Sequence, residues 1–413
     1  MLVVDKKYES ICGAVGNVLT WYSFALLMPF LPILSQKFLS YGDQWLCSIL
    51  SFLSVSVGLF VRPIGSAIFG PIGDKIGRRR ALSLSILLMA VPTIMMGILP
   101  DASQWGIAAS LIFVFLRILQ GTSMGGEYST SMVHFVELAE NNRRGFFGSF
   151  SDAGSQLGVL LAGKSLILLY LFFTEKEIYD YAWRYPFLAA FLLIPFAFIS
   201  TSSSCDAPKK EKNTYSIAKS LFAHKKEVSC TFAITSFSAI GFYTLLTFLP
   251  YFFVRENILT LNEATKCSIV ANVFIVVSAL GCGYLSDIFG RKIFLIGGML
   301  GVSASMYFIF LTQAKSFYLL MFFHALYGTF LGMYFSSRAA FFSESFPRRV
   351  RCTGVSLSMS LAQAIIGGSS TLIMNYFTSI SEKLSVIPIT MVAILGIFAV
   401  SILEDRTGKE LLD

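Results

Sequence analysis

Two charged residues, Arg117 and Glu127, stand ten positions apart in an apolar segment that holds no other Asp, Glu, Lys or Arg between residues 105 and 136. A carboxylate in such a segment could load and release a proton, and a guanidinium could hold an anion or a carboxylate. On one helix they would lie about 15 Å apart along the axis, so each needs a partner from another helix. We therefore expect Glu127 to carry a proton and Arg117 to bind substrate. The alternative for both residues is a static ion pair.

Other polar side chains recur at helical spacing within apolar segments. His134 follows Glu127 by seven residues, about 20° from the same helical face, where it could relay protons or simply pack. A second stripe with a period of 3.6 residues comprises His324, Tyr327, Leu331, Tyr334 and Arg338. This stripe could present phenol, imidazole and guanidinium groups to a substrate carboxylate. The alternative for Arg338 is a place among the charged residues at the end of its helix.

Aromatic rings could bind an ammonium group through their π faces, and Trp21, Tyr22 and Tyr243 are the candidates. Aromatic residues make up 15% of the chain, so most of them must serve packing.

The segment 145–173 contains two further charged residues, Asp152 and Lys164. We expect Asp152 to cap the helix or to pair with a loop arginine. Residues 158–165 match the phosphate-loop pattern G-x-x-x-x-G-K-[ST], but that loop requires a preceding strand and a solvated turn, whereas aliphatic residues surround this match. We interpret Lys164 as a cation in a cavity, a partner of Glu127, or a side chain reaching outward to the membrane surface.

The apolar segments are long enough to cross a membrane. Of the 413 residues, 55% are hydrophobic and 14% charged, against about a quarter charged in soluble domains, and a span needs about 20 apolar residues. The seven cysteines are scattered, which excludes a disulfide scaffold. We predict an all-α integral membrane protein whose twelve helices cover residues 11–35, 48–72, 80–99, 105–137, 145–173, 183–203, 228–254, 264–286, 292–312, 316–343, 352–378 and 383–403.

The basic residues predict the orientation of these helices. With both termini in the cytoplasm, 21 of the 32 Lys and Arg residues fall in cytoplasmic segments and seven in external loops. The net charge of +8 is thus explained by topology, and no nucleic-acid partner is expected.

One charged loop motif occurs twice. Residues 70–79, GPIGDKIGRR, recur 213 positions later as residues 283–292, GYLSDIFGRK, and a Glu–Arg pair recurs at an offset of 207. We infer two six-helix repeats, residues 1–203 and 228–413, joined by a cytoplasmic linker, 204–227. Such repeats are typical of secondary transporters, which bind substrate near the midplane. The charges could hold a cytoplasmic gate shut; the predicted gate residues are Asp74, Arg78, Glu137, Arg144, Asp287, Arg291, Glu344 and Arg351.

These motifs resemble the major facilitator superfamily, and within it the branch of metabolite/proton symporters that includes proline/glycine-betaine, α-ketoglutarate, citrate and shikimate transporters. The matching stretches are Gly16-Asn17, Arg62-Pro63 with Gly65, Arg117 with Gln120-Gly121, Gly125 to Tyr128, Arg143 to Gly145, and Trp183 to Phe187. The resemblance implies the major facilitator fold and a substrate site that includes Asn17, Gln120 and Tyr128.

Helix 1 departs from this branch at two positions. The branch usually reads G-N-x-x-E-W-Y-D-F there, whereas this chain has Thr20 and Ser23 in place of the two acids. A hydroxyl can hydrogen-bond a substrate, as we expect of Thr20, but it cannot carry a proton near neutral pH. Transport without protons is therefore an open alternative.

We expect an alternating-access transporter for a small organic solute, with proton symport through Glu127. A zwitterion such as proline or betaine is implied by the resemblance, whereas the excess of intramembrane cations favours an organic anion such as a dicarboxylate. The alternatives are a proton-independent uniporter or exchanger and a transporter-like sensor that binds ligand without flux. No catalytic residue, metal or cofactor is expected. The resemblance implies a monomer in the cell (inner) membrane.

Overall fold

The protein is built from membrane-length helices. The computed structural model describes residues 6–39, 56–195, 221–311 and 316–412, and every regular element among them is a helix. The helices are α1 (Gly13–Phe38), α2 (Ser56–Lys75), α3 (Arg78–Ile98), α4 (Ile107–Leu138), α5 (Asn141–Phe172), α6 (Arg184–Pro195), α7 (Lys225–Arg255), α8 (Leu261–Phe289), α9 (Arg291–Phe310), α10 (Phe317–Ser345), α11 (Arg351–Ile380) and α12 (Glu382–Ile402). All but α6 are at least 20 residues long and apolar enough to span a membrane. The predicted twelve-helix all-α membrane architecture is confirmed.

Contacts between helices divide the chain into two compact units. The first contains Met1–Ser131 and Gly154–Lys212, and the second contains Met132–Ala153 and Asn213–Asp413. The adjoining ends of α4 and α5 thus belong to the second unit by their contacts. The predicted boundaries at 203 and 228 stay predictions, because residues 196–220 of the linker region lie outside the described ranges.

In the first unit, α2 and α4 approach each other through glycines. A Cβ atom added at Gly65 would lie 1.9 Å from the carbonyl oxygen of Thr122, and one added at Gly125 would lie 2.0 Å from that of Arg62. Ser66 Oγ donates a hydrogen bond to the Gly125 carbonyl oxygen at 2.8 Å. Only small residues allow two helix backbones this close, which is the usual packing mode of helices in lipid. This contact sets the position of the polar residues on α4.

The repeated loop motif adopts one geometry in both units. Arg78 Nη1 donates to Asp74 Oδ1 at 2.9 Å in the first unit, and Arg291 Nη1 donates to Asp287 Oδ1 at 2.7 Å in the second. The motif glycine before each arginine has a positive φ, 134° in the first copy and 95° in the second, which a glycine adopts without strain. Each loop therefore reverses the chain in one residue and starts the next helix at its arginine.

Two helices of the second unit contain a wide π-helical turn, Thr244–Phe248 in α7 and Gln363–Gly367 in α11. The two helices meet there, because Thr247 Oγ1 and Thr371 Oγ1 are 3.1 Å apart. A Cβ at Gly367 would lie 2.9 Å from the Tyr243 ring. Such turns release backbone groups from the regular hydrogen-bond ladder and are frequent at functional sites.

Gly125→Ala tests the α2–α4 contact. The added methyl group would collide with backbone atoms, so we expect the folded yield to fall sharply and the thermal unfolding temperature in detergent to drop. Gly163→Ala on α5 is the matched control, since no atom lies within 4 Å of the added Cβ. Replacing a helical glycine by alanine there should stabilise by up to about 1 kcal/mol. Equal behaviour of the two variants would contradict the packing described.

Candidate functional site

Glu127 is a buried carboxylate on α4, only 1% exposed. Its Oε2 atom has no hydrogen-bond partner, and no cation lies within ion-pair distance among the residues that the structure describes. The turns of α4 on either side present hydroxyls: Ser123 donates to the Ser85 carbonyl oxygen on α3 at 2.6 Å, while the buried Thr130 and Ser131 hydroxyls have no partner in the described part of the chain. A carboxylate without a cation is costly to bury as an anion, so this environment favours a group that takes up a proton.

The other buried carboxylates of the described helices pair with arginines. Asp74 pairs with Arg78, Asp152 with Arg338, Asp287 with Arg291, and Glu344 with Arg291 at 3.4 Å. This contrast distinguishes Glu127 from carboxylates that have a structural partner.

An arginine–aromatic cluster, defined by Trp21, Phe24, Arg62, Arg117 and Tyr128, joins α1, α2 and α4. The Cζ atoms of Arg62 and Arg117 each lie 4.9 Å from the centre of the Phe24 ring. Trp21 meets Tyr128 edge to face with ring centres 5.0 Å apart, and its buried Nε1–H has no partner among the described residues. Two guanidinium groups beside one ring make this buried region electropositive and suited to a carboxylate.

Hydrogen bonds fix the position of Arg117. Its Nη1 donates to Gln120 Oε1 at 2.6 Å, and Gln120 Nε2 donates to Thr93 Oγ1 on α3 at 2.7 Å. The oxygen and the nitrogen of the Gln120 amide each form a hydrogen bond within the protein, and the bond to Arg117 orients the guanidinium group.

The predicted α1 residues form hydrogen bonds with different partners. Thr20 and Ser23 donate to the carbonyl oxygens of Gly16 and Leu19, four residues earlier, at 2.8 and 2.9 Å. Tyr22 Oη donates to the Pro186 carbonyl oxygen on α6 at 3.1 Å. Of the α1 candidates, only Trp21 belongs to the arginine–aromatic cluster as defined above.

Asn17 is buried where α1 crosses α5, at another close approach through glycines. A Cβ at Gly154 would lie 3.3 Å from Asn17 Nδ2, and one at Gly158 would lie 2.4 Å from the Val18 carbonyl oxygen. Between these two glycines in the chain, Gln156 is buried and its Oε1 has no partner within the described ranges. The Gln156 amide oxygen can therefore accept a hydrogen bond from a bound molecule.

Sequence reasoning did not select Phe24, Arg62 or Gln156. Arg62 was interpreted as part of a common motif, and it is the only charged residue between positions 56 and 73, which is the signal that could have identified it. Phe24 and Gln156 carry no comparable signal, because their importance comes from what packs beside them.

The α10 stripe faces α7. Tyr327 Oη donates to the Gly241 carbonyl oxygen and Tyr334 Oη to that of Ile234, both at 2.8 Å. His324 Nδ1 lies 2.8 Å from the carbonyl oxygen of Leu320 on its own helix. These phenols tie α10 to α7, and the substrate roles proposed for Tyr334 and Tyr243 stay predictions.

His134 and Lys164 lie in different surroundings. His134 is buried, its ring centre lies 6.4 Å from that of Phe135, and its role as a proton relay or a packing residue stays a prediction. Lys164 is exposed beside the exposed Leu161 and Ile167 on the continuous helix α5, which supports an outward-reaching side chain. A phosphate loop cannot exist here, because residues 158–165 are helical throughout.

Six of the eight predicted gate residues meet in the second unit and form what we call the gate cluster: Glu137, Arg144, Asp287, Arg291, Glu344 and Arg351. Arg144 Nη1 lies 3.8 Å from Glu344 Oε1, and Arg351 Nη1 donates to Glu137 Oε1 at 2.6 Å. Asp287 accepts hydrogen bonds from the backbone N–H groups of Gly145 and Phe146 at 2.8 and 2.9 Å, which caps α5 near its start. The remaining two, Asp74 and Arg78, pair with each other in the first unit.

The chain after α12 adds backbone acceptors to the gate cluster. Arg144 Nη1 donates to the Lys409 carbonyl oxygen at 2.6 Å, and Arg351 Nη2 donates to that of Leu412 at 2.7 Å. Asp405 Oδ2 accepts from the backbone N–H groups of Arg291 and Lys292 at 3.0 and 3.2 Å. This segment therefore caps α9 and holds two gate arginines.

Asp405→Asn tests the cap on α9. Burial alone would raise the pKa of Asp405, but the hydrogen bonds that it accepts, from Thr407 and from the first turn of α9, lower the pKa below its ordinary value. The carboxylate thus stabilises the fold above the ordinary aspartate pKa, and the stabilisation is lost as the pH falls through the lowered pKa. We expect the variant to lose about 1 kcal/mol at neutral pH and nothing once Asp405 is protonated. Thermal unfolding across pH measures this, with the exposed Glu382→Gln as control.

Glu344→Gln and Glu137→Gln test how burial sets the strength of the gate cluster. Glu344 is 2% exposed and faces two arginines, whereas 21% of the Glu137 side chain is exposed. We expect a loss of about 3 kcal/mol for Glu344→Gln, which leaves buried cations under-compensated, and about 1 kcal/mol or less for Glu137→Gln. Thermal unfolding in detergent compares them, and equal shifts would contradict this assignment.

Among the described residues, no group of three or more His, Cys, Asp or Glu side chains could hold a metal ion.

Comparison with known proteins places this arrangement in one family. Residues 10–203 match the model of the family described as Sugar (and other) transporter, and residues 231–412 match that of the Major Facilitator Superfamily. The chain is 26% identical to a putative proline/betaine transporter of Staphylococcus aureus over 99% of its own length and 91% of the relative's. It is 27% identical to the citrate-proton symporter of Klebsiella pneumoniae, over 87% and 82% of the two chains.

The fold has solved counterparts as well. The proton:xylose symporter XylE from E. coli superposes with a TM-score of 0.81 at 17% identity, over 98% of this chain and 97% of XylE. The paired charged loops, the twelve helices and these matches agree, and the chain belongs to the major facilitator superfamily, as a multi-pass membrane protein and secondary transporter.

Proposed function

We propose that this transporter is a proton symporter that moves a small organic solute bearing a carboxylate by alternating access. The solute is a zwitterion such as proline or betaine, or an organic anion such as a dicarboxylate. Glu127 carries the coupled proton, and the arginine–aromatic cluster binds the carboxylate. The observation that carries the proposal is the buried Glu127 carboxylate, which lacks a cation among the described residues while the other buried acids there are paired.

The geometry of α4 separates the two tasks. Arg117 and Glu127 are ten residues apart on one continuous helix, about 15 Å along its axis. A proline-sized molecule is too short to bridge that distance, so a solute held by Arg117 leaves Glu127 free to exchange a proton. A neutral Glu127 in one state and a charged Glu127 in another would then couple proton movement to the conformational cycle.

Two observations bear on the class of solute. The faces of Phe24 and Trp21 already lie near guanidinium groups, which leaves little π surface for an ammonium group. Arg62 and Arg117 instead favour carboxylates, and a second carboxylate on the solute would suit the second arginine. The names of the relatives support both classes, since one is a putative proline/betaine transporter and the other a citrate-proton symporter.

The prediction that the chain is not an enzyme is confirmed, because its relatives and structural counterparts are transporters. We further propose a monomer in the cell (inner) membrane with both termini in the cytoplasm. The gate cluster would then lie on the cytoplasmic side, where its ion pairs hold the gate shut and separate when the pathway opens inward.

Uptake into proteoliposomes with an imposed inward proton gradient tests the proposal, using labelled L-proline, glycine betaine and α-ketoglutarate. We expect accumulation of at least one solute that an uncoupler abolishes. Glu127→Gln, which is permanently neutral, should lower gradient-driven accumulation at least about tenfold and retain solute exchange, since the cycle no longer exchanges a proton. The exposed Glu382→Gln is the matched control and should behave as the unmodified protein.

Three results would replace this proposal with one of its alternatives. Uptake that only equilibrates and ignores both the uncoupler and Glu127→Gln would indicate a uniporter or exchanger, in which the hydroxyls of Thr20 and Ser23 mark the loss of coupling. Binding of a solute without any flux would indicate a sensor. ATP binding that depends on Lys164 would indicate a nucleotide site, which the helical backbone there argues against.

A further inference from the structure

A buried ion pair joins α5 to α10 in the second unit, deeper than the gate cluster. Arg338 Nη2 donates to Asp152 Oδ1, and Arg338 Nη1 donates to Ser238 Oγ on α7 at 3.0 Å. The guanidinium also lies 4.7 Å from the centre of the Phe335 ring. Asp152 is 0% exposed and Arg338 is 1% exposed. Neither the repeated loop motif nor the gate cluster requires these two residues to meet.

Small residues surround this pair. A Cβ atom at Gly148 would lie 3.1 Å from the Cβ of Ala339, and one at Gly283 on α8 would lie 2.7 Å from Ser149 Oγ. The start of α5 therefore packs closely on α8 and α10, and the ion pair is the charged centre of a mostly small-residue contact. Helix–helix contacts of this kind need few side-chain rearrangements to separate, so the charges dominate the cost of opening.

The pair lies about two helical turns inside the gate cluster. Arg338 precedes Ser345, the last residue of α10, by seven positions, about 10 Å, and Asp152 follows Arg144 by eight positions, about 12 Å. Any solute that passes from the middle of the second unit toward the gate cluster reaches this depth first.

Opening this contact separates two charges that are now buried. Removing one partner of a buried ion pair leaves an uncompensated charge, which is strongly unfavourable. When α5 and α10 move apart, water that enters the opening can hydrate Asp152, but Arg338 stays on α10 between Phe335 and Ser238. A carboxylate brought by the solute would replace Asp152 at this guanidinium and lower the cost of opening.

We propose that Arg338 is the carboxylate subsite on the exit path of the solute, and that Asp152 occupies it as an internal stand-in when no solute is there. The solute carboxylate displaces Asp152 and so unlocks α5 from α10. Asp152 then determines specificity, because a molecule without a carboxylate cannot open the pair. This inference rests on the proposed function, and it identifies Asp152 as the residue with which the solute competes for Arg338.

Binding to the purified full-length protein in lipid nanodiscs tests the competition. Calorimetric titration with L-proline, glycine betaine and α-ketoglutarate is compared with pyrrolidine and choline, which lack the carboxylate. Asp152→Asn should tighten binding of a carboxylate solute about tenfold, since the internal competitor is removed, and leave pyrrolidine and choline unchanged. Arg338→Gln should weaken carboxylate binding at this subsite at least about tenfold and leave binding at the arginine–aromatic cluster unchanged. Asp101→Asn, which alters an outer-loop carboxylate paired with Lys37, is the control.

The double variant Asp152→Asn/Arg338→Gln decides the case if a single variant fails to fold, since it leaves no unpaired charge. Wild-type thermal stability with at least tenfold weaker carboxylate binding at the Arg338 subsite supports the inference. Wild-type stability with every carboxylate-binding event of the wild-type protein retained shows a static pair and overturns it. If the wild-type protein binds none of the three carboxylate solutes, the proposed function is refuted as well. If it binds at least one of them, the proposed function stands, and the variants test the Arg338 subsite alone.

Discussion

The cost of burying a charge in a membrane-spanning helix governs how the polar residues of this protein are arranged. A buried ion loses its hydration, and only a partner of opposite charge or a change of protonation offsets that loss. Asp152 and Glu344 meet this condition through arginines on other helices, and Asp287 meets it through Arg291 and the start of α5. Glu127 has no cationic partner in the described part of the chain, which leaves a change of protonation as the way to offset the loss. The same constraint thus separates the structural carboxylates from the one suited to carrying a proton.

Helix packing decides where these charges can meet. Gly65 and Gly125 bring α2 and α4 into backbone contact, which places Arg62 beside the rings of α1. Gly148 allows α5 to approach Ala339 on α10, next to the Asp152–Arg338 pair. Since lipid supplies no hydrophobic force between helices, close approach through small residues contributes the dispersion energy that holds the charged groups in register.

The departures of helix 1 from its branch acquire a physical meaning in the structure. Where relatives of that branch carry acids, Thr20 and Ser23 donate to carbonyl oxygens one turn earlier on the same helix. They need no counter-ion, so α1 adds no negative charge near Arg62 and Arg117. The electropositive character of the arginine–aromatic cluster is therefore stronger than two acids on α1 would permit.

The sequence alone determined the twelve helices and the two copies of the charged loop, and it selected Glu127 as the candidate proton carrier, because hydropathy, glycine and charge act over a few neighbouring residues. It also predicted that Asp152 would cap its helix or pair with an arginine of a loop. Only the tertiary structure decided that the partner is Arg338 on α10, that Gln120 orients Arg117, and that Tyr334 bonds to α7. These contacts join residues far apart in the chain, and which helix faces meet depends on packing that no local pattern records.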